Sequence, residues 1–207
     1  MRLKIVQAGE PVLRQPARPL SAAEIRSREI QQLIEWMRET MHDAPGVGLA
    51  APQVGLSLQL AVIEDKPEYT KDAPSEFLKE RERKPAPFHV IVNPVIINTV
   101  ILNPKIALAE DGNAEFFEGC LSLAGFTAVV PRARKVSVEC RDHKGESRVI
   151  HASGWYARIL QHEIDHLHGA MYIDRMQPRT FMSMENFNRH WKDKPMTDVL
   201  KLSGPER

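Results

Sequence analysis

The sequence predicts one domain, or at most two small ones, mixing helices with short strands, on three observations. An amphipathic helix is legible near the N-terminus. The middle of the chain carries short apolar runs at strand spacing, ending in two alternating segments joined by a turn. A second helix follows directly and is closed by a glycine. With 207 residues, 43% hydrophobic and 27% charged, the chain has the balance of an ordinary globular domain. A formal net charge of +1 argues against a general nucleic-acid binder, which shows a basic excess. No run of 18 apolar residues is present, so no membrane-spanning helix is expected. Two cysteines are too few for a disulfide scaffold and point to a reducing compartment. Residues 1–6 lack the apolar core of a secretory signal and the Ser and Arg content of a transit peptide.

The elements follow in order. Ser21-Ala22-Ala23-Glu24 fits a capping box, in which Ser and Glu side chains satisfy free backbone N–H groups. Ile30, Leu33, Ile34, Met37 and Met41 continue as one apolar stripe, so one helix is expected from the box to about Asp43, before Pro45 and Gly46. Residues 46–52 read as a loop and 58–63 as a short buried strand. Residues 66–87 hold four prolines and a dense mixture of charges. They read as a solvated surface excursion with one or two helical turns, not an interdomain linker, because the chemical motifs lie on both sides. Strands are expected over 88–92, 95–102 and 106–109. Asn93-Pro94 is echoed by Asn103-Pro104, which suggests a local duplication or extra hairpin and not a repeat array. Segments 135–141 and 147–152 alternate around His143-Lys144-Gly145 and read as a hairpin. Ser153 is a candidate cap for a helix to about His168, ended by Gly169. A last helix is expected over 179–191, with a frayed tail after Lys192.

The chemistry starts at His162-Glu163-Ile164-Asp165-His166, which is H-E-x-x-H. On a helix, residues four apart share a face, so both imidazoles can reach one cation while Glu163 sits beside it, free to accept a proton from water. Alone, the pattern also fits a surface helix that happens to carry two histidines. Catalytic metal sites need a third protein ligand and an open position. Cys120, in the glycine-containing bend E-G-C-L-S, is the best candidate. Cys140 lies inside an alternating strand and reads as a small core residue. His168 should point off the ligand face, and His42, His89, His143, His151 and His190 lack ligand-like spacing. Residues 46–53 read G-V-G-L-A-A-P-Q, with neither the lysine of a phosphate loop nor the third glycine of a dinucleotide fingerprint. The two glycines admit close approach of another backbone, and Gln53 can donate to a developing oxyanion. By itself this segment reads by default as an ordinary helix-to-strand connection.

Taken together, G-V-G-L-A-A-P-Q at 46–53, E-G-C-L-S at 118–122 and Q-H-E-I-D-H at 161–166 resemble the three motifs of peptide deformylases in content, order and spacing. The resemblance covers about residues 3–180. It implies an α+β fold in which antiparallel sheets enclose the H-E-x-x-H helix, with an N-terminal helix and a C-terminal helical segment. The implied reaction removes the N-formyl group from formyl-methionine of nascent polypeptides and releases formate. Carried over, Cys120, His162 and His166 are the ligands of one divalent metal, iron(II) in the cell, with zinc, nickel or cobalt alternatives in purified protein. Glu163 becomes the general acid/base. Gln53 and the backbone N–H of Leu121 become the oxyanion donors beside the metal. Gly46, Val47, Gly48, Glu118, Gly119, Trp155 and Arg158 are expected to bind substrate, and Glu118 is also expected to pair with Arg132. The implied partners are formyl-methionyl nascent peptides, with the ribosome near its exit tunnel as a further candidate. No specific nucleic acid and no membrane are implied, and the chain is expected as a monomer or homodimer. The expected location is the bacterial cytoplasm, or alternatively a mitochondrial or plastid matrix after loss of a transit peptide.

The sequence departs from the common bacterial pattern in two places. Leu123-Ala124-Gly125-Phe126 stands where the family often has a proline-containing bend. Gly154-Trp155-Tyr156-Ala157-Arg158 precedes the motif helix, where aliphatic residues are common at the positions of Trp155 and Arg158, and looks more like the branch that includes organellar deformylases. Trp155 is read evenly as a pocket wall or a core aromatic, and Arg158 as a neutraliser of a nearby carboxylate or a surface residue. Two rival functions remain. A zinc endopeptidase shares H-E-x-x-H, but no His-x-x-Gly-x-x-His continuation exists here. A catalytically silent binding protein on the same fold would be free to lose Glu163, which is present.

Overall fold

The computed structural model describes residues 1–99 and 112–203. The N-terminal helix is two helices. In α1 (Ala22–Ile25) the capping box is formed, with Ser21 accepting from the Glu24 N–H and Glu24 accepting from the Ser21 N–H. Ser27 then turns extended and caps a new helix, α2 (Arg28–Asp43), by accepting from the Ile30 N–H. The expected single helix breaks because a second good cap lies six residues after the first. The stripe of α2 is buried as expected, from Ile30 to Met41.

Strands β1 (Gly48–Ala50), β2 (Leu60–Asp65), β3 (Ala86–Thr99), β6 (Lys135–Arg141) and β7 (Ser147–Ser153) form a five-stranded antiparallel sheet in the order β1-β2-β3-β6-β7. The segment expected to be a loop after Gly46 therefore contains an edge strand, followed by a 3-10 turn over Ala51–Val54. Residues 88–92 and the start of the next expected strand are one strand, β3, whose register shifts between Val92 and Val95. Asn93 sits at that bulge with φ +50, and its side chain bonds both the N–H and the C=O of Leu20. The rest of the expected strand 95–102, the expected strand 106–109 and the echo at Asn103 lie outside the described residues. The excursion at 66–87 carries a 3-10 turn over Pro67–Thr70 and a short helix, α3 (Ser75–Glu80), before entering β3.

A second, three-stranded sheet pairs β4 (Asn113–Cys120) with β5 (Leu123–Ala133) and β5 with β8 (Met182–Ser183). Between the sheets runs α4 (Gly154–Leu167), which carries H-E-x-x-H. Strand β2 and residues Val90–Val92 of β3 are covered on both faces, while β6 and β7 alternate buried with exposed residues. Leu60, Val62, Val90 and Val92 pack with α2, and Ala61, Ile63 and Ile91 pack with Leu160 and Ile164 of α4. That alternation follows from the period of two along a strand. Gln161 locks α4 to the other sheet: it accepts from the Ala133 N–H and donates to the Ala133 and Ala157 carbonyls.

The C-terminal segment differs from the expected helix over 179–191. A 3-10 turn (Pro178–Thr180) and β8 precede a single turn, α5 (Met184–Asn186), which widens into a π-helical turn over Phe187–Trp191. Where the tail is described it is not frayed: α6 (Met196–Leu200) buries Met196 and Val199 against Phe116 and Val129. Among the described residues no helix is long and apolar enough to cross a membrane.

Candidate metal centre

Cys120 ends β4, and His162 and His166 sit one turn apart on α4, so the two sheets and the helix between them determine the meeting point. One ligand atom from each of the three residues lies within 4.8 Å of the others. Cys120 Sγ is 3.2 Å from His166 Nε2. The imidazoles lie edge to face with centroids 5.0 Å apart. Cys140, the competing cysteine, is buried in the five-stranded sheet, and burial pushes its thiol up to about 11.

The His162 ring is set by what stands behind it, whereas His166 Nδ1 is buried without a hydrogen-bond partner among the described residues. His162 Nδ1 bonds Glu118 Oε2 at 3.0 Å, which leaves its Nε2 for a cation. Tyr172 lies nearly parallel to the His162 ring, with centroids 6.4 Å apart. Burial alone would push His162 down, but hydrogen bonds and charge from Cys120 and Glu118 overcome it and hold it well above its ordinary value. Burial, then the neighbouring His162 and Arg132, holds His166 well below its ordinary value, in the neutral form that a metal requires. The donor set of one sulfur and two imidazole nitrogens suits a divalent transition metal.

Glu163 is 3% exposed, and burial pushes its carboxyl up to about 7. Its Oε2 has no hydrogen-bond partner among the described residues. A buried carboxylate oxygen left open in this way is expected of a group that works on water or substrate rather than on the fold. The carboxylate lies against Gly48, where an added Cβ would meet Oε1 at 2.1 Å. Gly46 is similarly close to Leu121, with an added Cβ 2.9 Å from Cδ1. The glycines at 46 and 48 thus admit the cysteine turn and the Glu163 side chain.

Gln53 is held by its own carbonyl oxygen, which accepts from the Ala50 N–H at 2.9 Å. Its Nε2 is aimed at Cys120 Sγ and Ser122 Oγ, 3.4 Å from each. It is 1% exposed, and its amide faces the thiol end of the site.

Glu118 and Arg158, both expected among the substrate contacts, form a pair, and Arg158 is the neutraliser of a nearby carboxylate that one of its two readings expected. Both are almost wholly buried, and they bond each other. Arg132 forks onto Glu118 with two bonds of 3.0 Å and also pairs with Asp165, which Arg175 holds with two bonds of 2.7 Å. Arg158 further donates to the carbonyls of Val130 and Ala114. Burial works against the Glu118 charge, but Arg132 and His162 keep its carboxyl well below the usual range. Glu118, held by both arginines, stands directly behind His162. Trp155 is half-buried and packs against two apolar clusters, with Arg83 over its ring at 5.2 Å. Gly119 sits on β4, the outermost strand of its sheet, as Gly48 does on β1 of the other.

The expected pair of Glu118 with Arg132 is present. Sequence reasoning did not single out Asp165, Arg175 or Tyr172. Asp165 had a signal, since it sits three residues after His162 inside the motif helix, where a carboxylate needs a partner. Tyr172 had none.

This fold and this site define a class: a hydrolase of the H-E-x-x-H type in which a cysteine stands where the third metal ligand is needed. Comparison with known proteins narrows it. The family described as polypeptide deformylase matches residues 2–182. The chain is 47% identical over 184 residues to peptide deformylase 1A, chloroplastic, of Solanum lycopersicum, covering 89% of this chain and 63% of that one. It is 43% identical over 194 residues to peptide deformylase 1 of Bifidobacterium longum, covering 94% and 82%. The Met-Ala-Ser-bound crystal structure of a class I type b peptide deformylase from Acinetobacter baumannii superposes with a TM-score of 0.71 at 31% identity, covering 85% of this chain and 99% of that one. The chain belongs to the polypeptide deformylase family, whose members are metal-dependent hydrolases that remove the formyl group from nascent peptides.

Proposed function

We propose that this chain hydrolyses the formyl amide of formyl-methionyl peptides, and that Cys120, His162 and His166 hold the metal for that reaction. The observation that carries the reading is the meeting of Cys120 with both imidazoles beside a buried carboxylate that has an unused oxygen. A divalent ion held there supplies Lewis acidity, which lowers the pKa of water and polarises a carbonyl. Iron(II) is the proposed cellular metal because the family resemblance implies it; one thiolate and two imidazoles suit divalent iron, cobalt, nickel or zinc alike.

The chain's own residues do the rest. Glu163 accepts a proton from the attacking water and delivers it to the departing amine nitrogen as the C–N bond breaks. Gln53 Nε2 and the Leu121 N–H meet the negative charge that develops on the formyl oxygen. Strands β1 and β4 are edge strands of the two sheets among the described residues, the arrangement to which an extended peptide binds by strand addition. Glu118, fixed by Arg132 and Arg158, keeps the Nδ1 proton of His162 on the side away from the metal.

Formate release from a formyl-Met-Ala-Ser peptide, measured anaerobically with bound metal quantified, tests the reading. Glu163→Gln should retain the metal and lose turnover by about a hundredfold or more. Loss of the metal in that variant would overturn the division of roles. No formate from metal-loaded wild type would overturn the activity.

A further inference from the structure

We infer that Gln7 is a positioning residue for the two oxyanion donors, an inference that rests on the deformylase reading. The donors come from different parts of the fold. Gln53 belongs to the 3-10 turn after β1, and Leu121 to the tight turn between β4 and β5. An oxyanion pair works only if both donors keep their spacing to within a fraction of an ångström, about 0.5 Å. Something must therefore tie one turn to the other.

The N-terminal arm does so. The Val6 N–H donates to the Gln53 carbonyl at 2.9 Å, and the Ala8 N–H donates to the Ser122 carbonyl at 2.7 Å. Between them, the Gln7 side chain spans the cysteine turn. Its Nε2 donates to the Leu121 carbonyl at 3.0 Å, and its Oε1 accepts from the Ala124 N–H at 3.4 Å. Three consecutive residues thus hold the backbone of Gln53 with one hand and the 121–124 turn with the other. The arm is itself anchored, because the Leu3 N–H donates to Thr40 Oγ1 at 2.8 Å, and Leu3 and Ile5 pack on the same apolar cluster as Val54 and Leu121. A side-chain amide is suited to this place: it carries one donor and one acceptor, and the turn presents one carbonyl and one N–H. Gln7 touches neither metal ligand nor general base, and it is exposed, so replacing it opens no cavity in the core.

The test compares wild type with Gln7→Met, which keeps length and loses both hydrogen bonds, in the metal-loaded enzyme. The expected result is a kcat lowered roughly three- to tenfold, with KM, bound metal and the thermal midpoint unchanged. A merely structural role would move the midpoint and leave kcat alone. The same substitution is then made in a Gln53→Met background, which removes one donor but keeps its backbone link to Val6. If Gln7 acts through the donor pair, its effect on kcat shrinks there. Full additivity of the two substitutions, or wild-type kcat in Gln7→Met, overturns the inference. Inactive wild type overturns the deformylase reading instead.

Discussion

Gly48 and Glu163 share a space that holds only one side chain. The Glu163 carboxylate occupies the position that a Cβ at residue 48 would need. Gly48→Ala should therefore push the carboxylate away from the metal side without touching a metal ligand. The expected outcome is a fall in kcat of about ten- to a hundredfold with metal content unchanged, read by formate release and metal analysis on the same sample. Wild-type turnover in this variant would mean that the carboxylate has room to move and that its position is not limiting. Residue types at the site were largely legible, because H-E-x-x-H announces its own geometry on a helix. The orientation of Arg158 was not. Nothing in a sequence says whether a cation on α4 faces a groove or a buried Glu118, and here the buried partner is 40 positions away.

The elements show why the sequence yielded some parts and not others. The α4 helix and the β6–β7 hairpin were legible because their periods are clean. The β4–β5 pair was not recognised as strands. In β4, Phe116 and Phe117 are adjacent and the buried Glu118 follows, while in β5 a continuous buried run of Ala128, Val129 and Val130 erases the alternation. The α1–α2 boundary carries a pH prediction. The Ser21 N–H, then Arg18 and the Ser21 hydroxyl, pull the Glu24 carboxyl from 4.5 down to about 2. A carboxylate lowered on folding stabilises above its unfolded pKa and loses that contribution as pH falls through the folded one. The midpoint advantage of wild type over Glu24→Ala should thus be full at about pH 6 and shrink steadily below about pH 4.5. An advantage that grows on acidification would reverse the sign and refute the account. At the start of α4, Gly154 has φ +58, and an added Cβ would meet Glu82 Cβ at 2.4 Å and the Arg81 carbonyl at 2.9 Å. The charged excursion is therefore clasped to the motif helix through a residue that cannot carry a side chain. Gly154→Ala should cost about 1–3 kcal/mol in denaturant unfolding, with faster proteolysis in the segment 75–84.

At the scale of the whole molecule, the seam between the three-stranded sheet and α4 is held by charge. Arg158, Glu118, Arg132, Asp165 and Arg175 form a continuous chain across it, most of it buried. Such a chain adds little net stability while complete, but losing one member strands the others in a dry interior. Cys120 and the two histidines sit on the same seam, one from the sheet and two from the helix. A cation bound by all three links the parts, and by mass action it stabilises the folded chain by about 4 kcal/mol at a thousandfold excess over its Kd. The five-stranded sheet packs between α2 and α4 without that link. Chelation should therefore act unevenly. The thermal midpoint should fall, and amide exchange should quicken in β4 and β5 while β2 and the Val90–Val92 stretch of β3, buried on both faces, stay protected. Restoring zinc or cobalt should reverse both changes. An unchanged midpoint after verified metal removal, or loosening that starts in β2 and β3, would show that the cation does not stitch this seam and that the apolar core alone carries it.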